Sequence, residues 1–147
     1  MNSVTGSAKA KIHRALLRGV DANFNRAKEA LRVLEDIARF FLENKNLTRQ
    51  LKTMRHRLTQ VLLRFPASYR ELLASRDSAG DVGKKSGIRD SKRTGPGTLW
   101  ISNMKRAQEA LRVLEEFSKA EAASQSAAFQ KIRFSLYELE KKSFRFF

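Results

Sequence analysis

The sequence predicts an all-α fold with a four-helix-bundle-like core, built from two repeated helical hairpins, with short extra helices and a long central loop. The repeat is direct: NFNRAKEALRVLE at 23–35 and NMKRAQEALRVLE at 103–115 agree at ten of thirteen positions. Apolar residues recur at three- and four-residue spacing along most of the chain, and no stretch alternates as a strand would. Neither hairpin could bury its apolar face alone, so we expect the two to dock with approximate two-fold symmetry.

The first copy begins after a predicted short helix over 12–17. Gly19 and Asp21 are interpreted as a break in the chain and an N-cap. The helix that follows carries its apolar stripe at Ala27, Ala30, Leu31, Leu34, Ile37, Ala38 and Phe41.

A turn at 43–46 leads into the second helix of this copy. Its apolar positions are Leu51, Met54, Leu58, Val61 and Leu62, and Pro66 ends it. Residues 68–74 predict a short extra helix.

The second copy repeats this plan. Leu111, Leu114 and Phe117 match the first long helix, and Phe129, Ile132, Leu136 and Leu139 match the second at an offset of 78. The second hairpin loop should therefore be about two residues shorter. We expect one domain over 1–147, with the duplication at about 21–65 and 101–145.

The connection between the copies, 75–97, is rich in glycine, serine and basic residues. Loops of this length are usually either functional or flexible linkers. Arg76-Asp77 and the run 81–83 have the character of specified turns, whereas 84–95 is expected to be flexible.

Composition restricts the chemistry. The chain has no cysteine, so disulfides, thiolate metal sites and cysteine nucleophiles are excluded, and His13 and His56 lack zinc-site spacing. The formal charge of +15 predicts attraction to anions, which nucleic acid, phosphorylated metabolites and anionic membranes satisfy equally. Because no apolar run is long enough for a signal peptide or a membrane span, we expect a cytoplasmic protein without a membrane partner.

The repeated charged residues fall into two groups. Helical geometry places Glu29, Arg32 and Glu35, with their counterparts in the second copy, opposite the apolar stripe, where solvated ion pairs are expected. The second group lies on or beside apolar stripes and comprises Asn23, Arg26, Asn103, Arg106, Arg55 and Arg133.

An arginine on an apolar stripe must be paired or must line a cavity. One interpretation is a structural ion pair with Glu29, Glu35 or Asp36; the other is a cationic pocket that holds phosphate. The residues alone leave both open. The copies also differ, at Asn25/Lys105, Arg39/Lys119 and His56/Phe134, as a ligand with two unlike ends would require.

Several familiar motifs are missing. GKKSG at 83–87 does not fit a phosphate-binding loop, since no glycine stands five positions before Gly83. No dinucleotide fingerprint or Ser/His/Asp arrangement is legible. Aromatic residues suited to base stacking are sparse, which counts against nucleic acid.

Four segments resemble the monofunctional hydroxymethylpyrimidine phosphate kinase family, an all-helical domain often fused in front of thiamine-phosphate synthase. They are DANFNRAKEALRVLEDIARF (21–40), LKTMRHRL (51–58), RDSAGDVG (76–83) and NMKRAQEALRVLEEFSK (103–119). The resemblance covers about 12–142 and implies transfer of the ATP γ-phosphoryl group to a phosphorylated aminopyrimidine, with ATP and Mg²⁺ required. Without the synthase, this chain would be the stand-alone form.

Phosphoryl transfer needs cations around the phosphates and carboxylates for magnesium, and the residue roles follow from that requirement. We assign phosphate clamping to Arg26, Arg55, Arg106 and Arg133, with Arg55 and Arg133 as catalytic residues. Asp77 and Asp81 are assigned to catalysis and metal binding, and Arg76, Gly80 and Gly83 to a loop over the nucleotide. Asn23 and Asn103 are assigned, together with Arg26 and Arg106, to the pyrimidine phosphate. The alternatives are a non-enzymatic helical protein that binds nucleic acid, and a scaffold that forms homodimers.

Overall fold

Five α-helices make up most of the computed structural model, which describes residues 2–84, 92 and 94–147. They are α1 (Asn2–Asp36), α2 (Lys45–Leu63), α3 (Tyr69–Ser75), α4 (Gly95–Ser118) and α5 (Ala123–Ser143). A π-helical turn, Ile37–Phe41, extends α1, and a 3₁₀ turn, Phe144–Phe146, follows α5. The described part of the chain contains no strand, so the predicted all-α class is confirmed.

The four long helices form the predicted bundle. α1 packs on α2 and α4, and α5 packs on α4 and α2, with α1–α4 as the most extensive interface. Equivalent leucines of the two copies, Leu31 and Leu34 with Leu111 and Leu114, are fully buried. None of the described helices combines the length and the apolar character needed to cross a bilayer.

α1 runs without interruption through Gly19 and Asp21, so the predicted break and N-cap are wrong. Gly19 lies inside the helix, where glycine costs about 1 kcal/mol relative to alanine. A Cβ atom at this position would overlap the ring of Phe117 on α4. Glycine is therefore explained here by close packing between helices. Asp21 is buried and bound to Arg76 rather than free to cap a helix.

The hairpin turns differ as predicted. At the offsets of the repeat, residues 39–44 of the first copy correspond to 119–122 of the second, which is two residues shorter. The first copy accommodates its extra length in the π turn, where Leu42 N–H donates to Ile37 O at 3.1 Å. Glu43 then takes a left-handed conformation, and Asn44 caps α2 through Leu47 N–H.

α3 matches the short helix predicted over 68–74, and it brings the chain back to α1. Ser68 and Glu71 form a capping box: Ser68 Oγ accepts from Glu71 N–H, and Glu71 Oε2 accepts from Ser68 N–H. α3 packs on α1, and Arg76 follows it in an extended conformation. α4 begins at Gly95, inside the predicted 75–97 connection. Most of the flexibility predicted for 84–95 falls outside the described residues.

Candidate functional site

A cavity of about 520 Å³ lies between the middle of α1, the C-terminal end of α4 and the segment after α3. We call it the α1 cleft. Among the described residues, its lining combines three arginines with three aspartates, and Phe117 is its one aromatic residue. The lining residues are Ala15, Arg18, Gly19, Asp21, Ala22, Asn23, Arg26, Arg76, Asp77, Ser78, Asp81 and Phe117.

Arg76 anchors the segment after α3 to α1. Its Nε and Nη2 both donate to the carboxylate of Asp21, the second at 3.0 Å, in a two-point ion pair. The hydrogen bond to Asp21 raises the pKa of Arg76, so the guanidinium stays charged. Asp21 is 5 % exposed, and Arg76 is the cation paired with this buried carboxylate.

Asp77 and Asp81 shape the turns that follow Arg76. Gly80 N–H donates to Asp77 Oδ1 at 2.9 Å, and Gly83 N–H donates to Asp81 Oδ1 at 2.8 Å. The glycines predicted to close over a nucleotide therefore hold the carboxylates in place. A Cβ atom on Gly80 would crowd the Asp77 carboxylate.

These two carboxylates fit the way proteins hold Mg²⁺. Each has a second oxygen that accepts no hydrogen bond from the described residues. Within residues 2–84, 92 and 94–147, no three carboxylate or imidazole groups cluster as a complete metal site. Mg²⁺ commonly binds through one or two carboxylates together with substrate phosphates, and Asp77 and Asp81 could supply such a partial set.

Arg18 and Arg26 are the arginines of the α1 cleft without a carboxylate partner among the described residues. Within the described part of the chain, Arg18 Nη2 reaches only the backbone oxygen of Asp77, at 3.4 Å, and Arg26 Nη1 reaches Asn23 Oδ1, at 3.3 Å. They lie eight residues apart, two turns along one face of α1. Two guanidinium groups therefore line the cavity, and most of their donors bind none of the described residues.

The second copy places its matching residues differently. Arg106 lines a smaller neighbouring cavity of about 320 Å³, whose wall also includes Asn23 and Arg26. Asn103 does not line the α1 cleft. Its Nδ2 donates to Leu99 O at 2.9 Å, just as Asn23 Nδ2 donates to Gly19 O at 2.9 Å. In both copies the amide nitrogen is held by its own helix, and the predicted contact with the pyrimidine stays a prediction.

Arg55 and Arg133 lie outside the α1 cleft, in ion pairs with glutamates. Arg55 Nε donates to Glu35 Oε2 at 2.8 Å, and Arg133 Nε and Nη2 contact Glu115 Oε2 at 2.9 and 2.8 Å. The sequence left two interpretations of these arginines open, a structural ion pair and a phosphate-binding pocket. The geometry corresponds to the structural ion pair. The structure does not bring them together with Arg26 in one clamp, and their predicted catalytic role stays a prediction.

The burial of the glutamates in these pairs shows that the polar face was predicted wrongly at these two positions. Glu35 and Glu115 are buried, 5 % and 2 % exposed, although helical geometry predicted a solvated position. Arg32 and Arg112 donate to the same carboxylates at 3.3 and 3.0 Å. Glu29 and Glu109, by contrast, are exposed as expected.

Arg133 remains charged despite its burial. Burial favours the neutral form, but hydrogen bonds to Tyr137 and Glu115 outweigh it and raise the pKa of Arg133. Arg133 Nη1 lies 3.0 Å from the Tyr137 hydroxyl oxygen. This network ties α5 to α4 and leaves few arginine donors free for a ligand.

Several residues of the α1 cleft were not among the predicted site residues, notably Arg18, Asp21 and Phe117. A helix that begins after Gly19 excludes Arg18, whereas in the continuous helix α1 its spacing to Ala22 and Arg26 places it on the same face. Phe117 was assigned to the apolar stripe, yet it is 40 % exposed and lines the cavity.

The described residues form an all-helical fold with an internal duplication and a cleft lined by arginines and aspartates. A match to the ThiD2 family spans residues 18–142, and the chain belongs to this family. No solved structure matches it significantly.

Curated relatives carry the name thiamine-phosphate synthase. The protein of Rhodopirellula baltica is 40% identical over 136 residues, 88% of this chain and 35% of its own length. The proteins of Synechocystis sp. and Nostoc punctiforme are 38% and 36% identical, and the match covers 35% and 37% of their lengths. The chain thus spans about a third of the length of the relatives that it matches.

Proposed function

We propose that this protein is an ATP-dependent phosphotransferase of thiamine biosynthesis. It would convert 4-amino-5-hydroxymethyl-2-methylpyrimidine phosphate to its diphosphate. A phosphate oxygen of the pyrimidine substrate attacks the γ-phosphorus of ATP in line, and ADP leaves. The family membership and the names of the relatives support the pathway, and the sequence resemblance supplies the reaction.

The observation that carries the proposal is the composition of the α1 cleft. Two arginines with unused donors, Arg18 and Arg26, share one cavity with the carboxylates of Asp77 and Asp81. The three arginines and three aspartates of its wall balance in formal charge. A bound Mg²⁺ would add positive charge to the cavity and so favour binding of a polyphosphate. The metal would also neutralise the charge that develops during phosphoryl transfer.

The residues of the α1 cleft then have distinct roles in the proposed reaction. Arg18 and Arg26 bind phosphate oxygens with planar two-point contacts, Asp77 and Asp81 hold the metal side of the nucleotide, and Arg76 fixes the segment that carries them. Phosphoryl transfer requires little covalent chemistry from the protein, so positioning and charge account for most of the catalysis.

Nucleic-acid binding is the weaker alternative. It explains the +15 charge, but the arginines of the α1 cleft line a cavity together with carboxylates, which repel a phosphate backbone. Binding to nucleic acid would also weaken steeply with salt and would depend on total charge rather than on Arg18 and Arg26.

The test is a turnover assay of the full chain with ATP, Mg²⁺ and the pyrimidine phosphate. We expect ADP and the pyrimidine diphosphate to appear together, and neither to appear when Mg²⁺ or the pyrimidine phosphate is omitted. Arg26→Met should lower kcat/KM by about 10²-fold, the usual loss when a group that stabilises transition-state charge is removed.

Arg57→Met is the matched control, since it removes the same charge from an exposed position of α2. It should retain wild-type kinetics. A folded sample that forms no diphosphate under these conditions would refute the proposed reaction. Equal losses in the two variants would refute the role of the α1 cleft.

A further inference from the structure

Phe117 is an exposed aromatic side chain in a cavity whose other lining residues are mostly polar or charged. It stands one residue before the end of α4, is 40 % exposed, and lines the α1 cleft together with Arg18 and Arg26. The edge of its ring lies against Gly19 on α1, where any larger residue would displace it. The packing of the two helices therefore fixes the ring in the cavity wall.

The other copy has no such arrangement. At the offset of 80 that relates α1 to α4, Phe117 corresponds to Ile37, and Gly19 corresponds to Leu99. Ile37 is 3 % exposed, and Leu99 packs partly buried against the core. At the cavity, glycine and phenylalanine thus stand in place of the two aliphatic residues that pack in or against the core at the corresponding positions of the repeat.

The polar residues change at the same end. Arg18 and Asp21 correspond to Thr98 and Ile101, and Ile101 is 50 % exposed. The second copy of this arrangement therefore keeps Arg106 in place of Arg26 but lacks the cation of Arg18, the carboxylate that holds Arg76, and the aromatic wall. Among the residues that the structure describes, the duplication has left one such cleft rather than two.

From this combination we propose that Phe117 is a stacking surface for the heteroaromatic ring of a phosphorylated substrate. The inference rests on the proposed function and deepens it: the ring of the ligand lies on Phe117, while its phosphates meet Arg18 and Arg26. Aromatic side chains bind heterocycles face to face, and guanidinium groups bind phosphate, so the cavity wall matches both parts of one molecule. Either the aminopyrimidine or the adenine of ATP supplies this chemistry.

The test is isothermal titration calorimetry of the full chain with three ligands: a non-hydrolysable ATP analogue, the pyrimidine phosphate, and inorganic pyrophosphate. Phe117→Leu should raise the Kd of at least one ring-bearing ligand about tenfold, the effect expected for loss of one stacked base. The Kd of pyrophosphate should stay unchanged, because pyrophosphate has no ring. Phe117→Tyr keeps an aromatic face and should restore the affinity.

Phe40→Leu is the matched control, since Phe40 is 63 % exposed on the π turn and does not line the α1 cleft. It should leave all three Kd values unchanged. If Phe117→Leu weakens the ATP analogue alone, adenine is the stacked ring; if it weakens the pyrimidine phosphate alone, the pyrimidine is.

Two results would overturn the inference: unchanged Kd values for both ring-bearing ligands, or an equal loss for pyrophosphate. Absence of binding by either ring-bearing ligand to the wild-type chain would instead contradict the proposed function itself. Circular dichroism of each variant confirms that the fold is intact, so the two failures can be distinguished.

Discussion

At the scale of single residues, the duplicated buried carboxylates show what a charge requires inside the bundle. Glu115 lies between Arg133, whose side chain is 11 % exposed, and Arg112, which is half exposed. The first copy repeats this set with Glu35, Arg55 and Arg32 in a slightly more open setting. Each carboxylate accepts from both sides, and this accounts for the repetition of Arg32/Arg112, Glu35/Glu115 and Arg55/Arg133 without any ligand.

We expect Arg133→Met to destabilise the fold by about 1–3 kcal/mol, because Glu115 would be left buried with Arg112 as its remaining cation. Urea denaturation measures this change in the free energy of unfolding. Replacing Glu115 by Gln in the same chain should recover part of the loss. The exposed Lys131→Met on the same helix is the control and should leave stability near wild type. Unchanged stability combined with lost turnover would favour the catalytic role instead.

The pair of Asp21 and Arg76 gives a second prediction. Asp21 touches no substrate in the proposed site but fixes Arg76, and Arg76 fixes the turns of Asp77 and Asp81. Asp21→Asn and Arg76→Met should each lower kcat/KM, and the double variant should lose little more than either alone, since both break one contact. Steady-state kinetics with ATP as the varied substrate measures this coupling. Additive losses would show that the two residues act separately.

At the scale of elements, α3 depends on its capping box. Removing the Ser68 hydroxyl by Ser68→Ala should cost about 1 kcal/mol of stability, the typical value for an N-cap. Thermal or urea unfolding measures it. Ser135→Ala, at a partly exposed position within α5, is the control and should have a smaller effect.

The same capping box makes the stability of the fold depend on pH. Hydrogen bonds from the backbone and side chain of Ser68 lower the pKa of Glu71 below its ordinary 4.5. A carboxyl with a lowered pKa in the folded state stabilises the protein above about pH 4.5, and this contribution disappears as the pH falls through the lowered value. The stability difference between the wild type and Glu71→Gln should therefore shrink between pH 6 and pH 3. A constant difference would show that the charge of Glu71 plays no part.

A helix boundary could be predicted from the sequence when the residues that determine it lie within a few positions of it. Ser68 and Pro66 signal the start of α3 and the end of α2 within a few residues, and the structure follows both. Gly19 could not be interpreted in this way, since its neighbour Phe117 lies 98 residues later in the sequence. The burial of Glu35 was missed for a related reason: its partner Arg55 stands on another helix, and the periodicity of one helix cannot show it.

The candidate site has the same limit. The sequence selected Arg26, Asp77 and Asp81, which do line one cavity. It also grouped Arg55 and Arg133 with them, because an arginine on an apolar stripe looks the same whether it meets a glutamate or a phosphate. Only the positions of neighbouring helices separate the two cases.

At the scale of the whole molecule, the two copies should be unequal in function. Arg26 lines both the α1 cleft and the smaller cavity beside it, whereas Arg106 lines only the smaller one of these two. We expect Arg26→Met to lower kcat/KM at least about tenfold more than Arg106→Met, the difference that one additional charged contact provides. Parallel kinetics of the two variants measure this ratio. Equal losses would indicate that both halves contribute alike.

The joining of both hairpins in one chain also determines how such a cleft can change. If two identical hairpins associated as a homodimer, every substitution would occur twice, and an aromatic residue gained in one cleft would replace the core aliphatic residue of the other. In the fused chain, Gly19 and Phe117 vary independently of Leu99 and Ile37. One half can retain a well-packed core while the other gives up buried contacts for an open cavity, and the stable half then compensates for the cost of the cavity in the same folding unit.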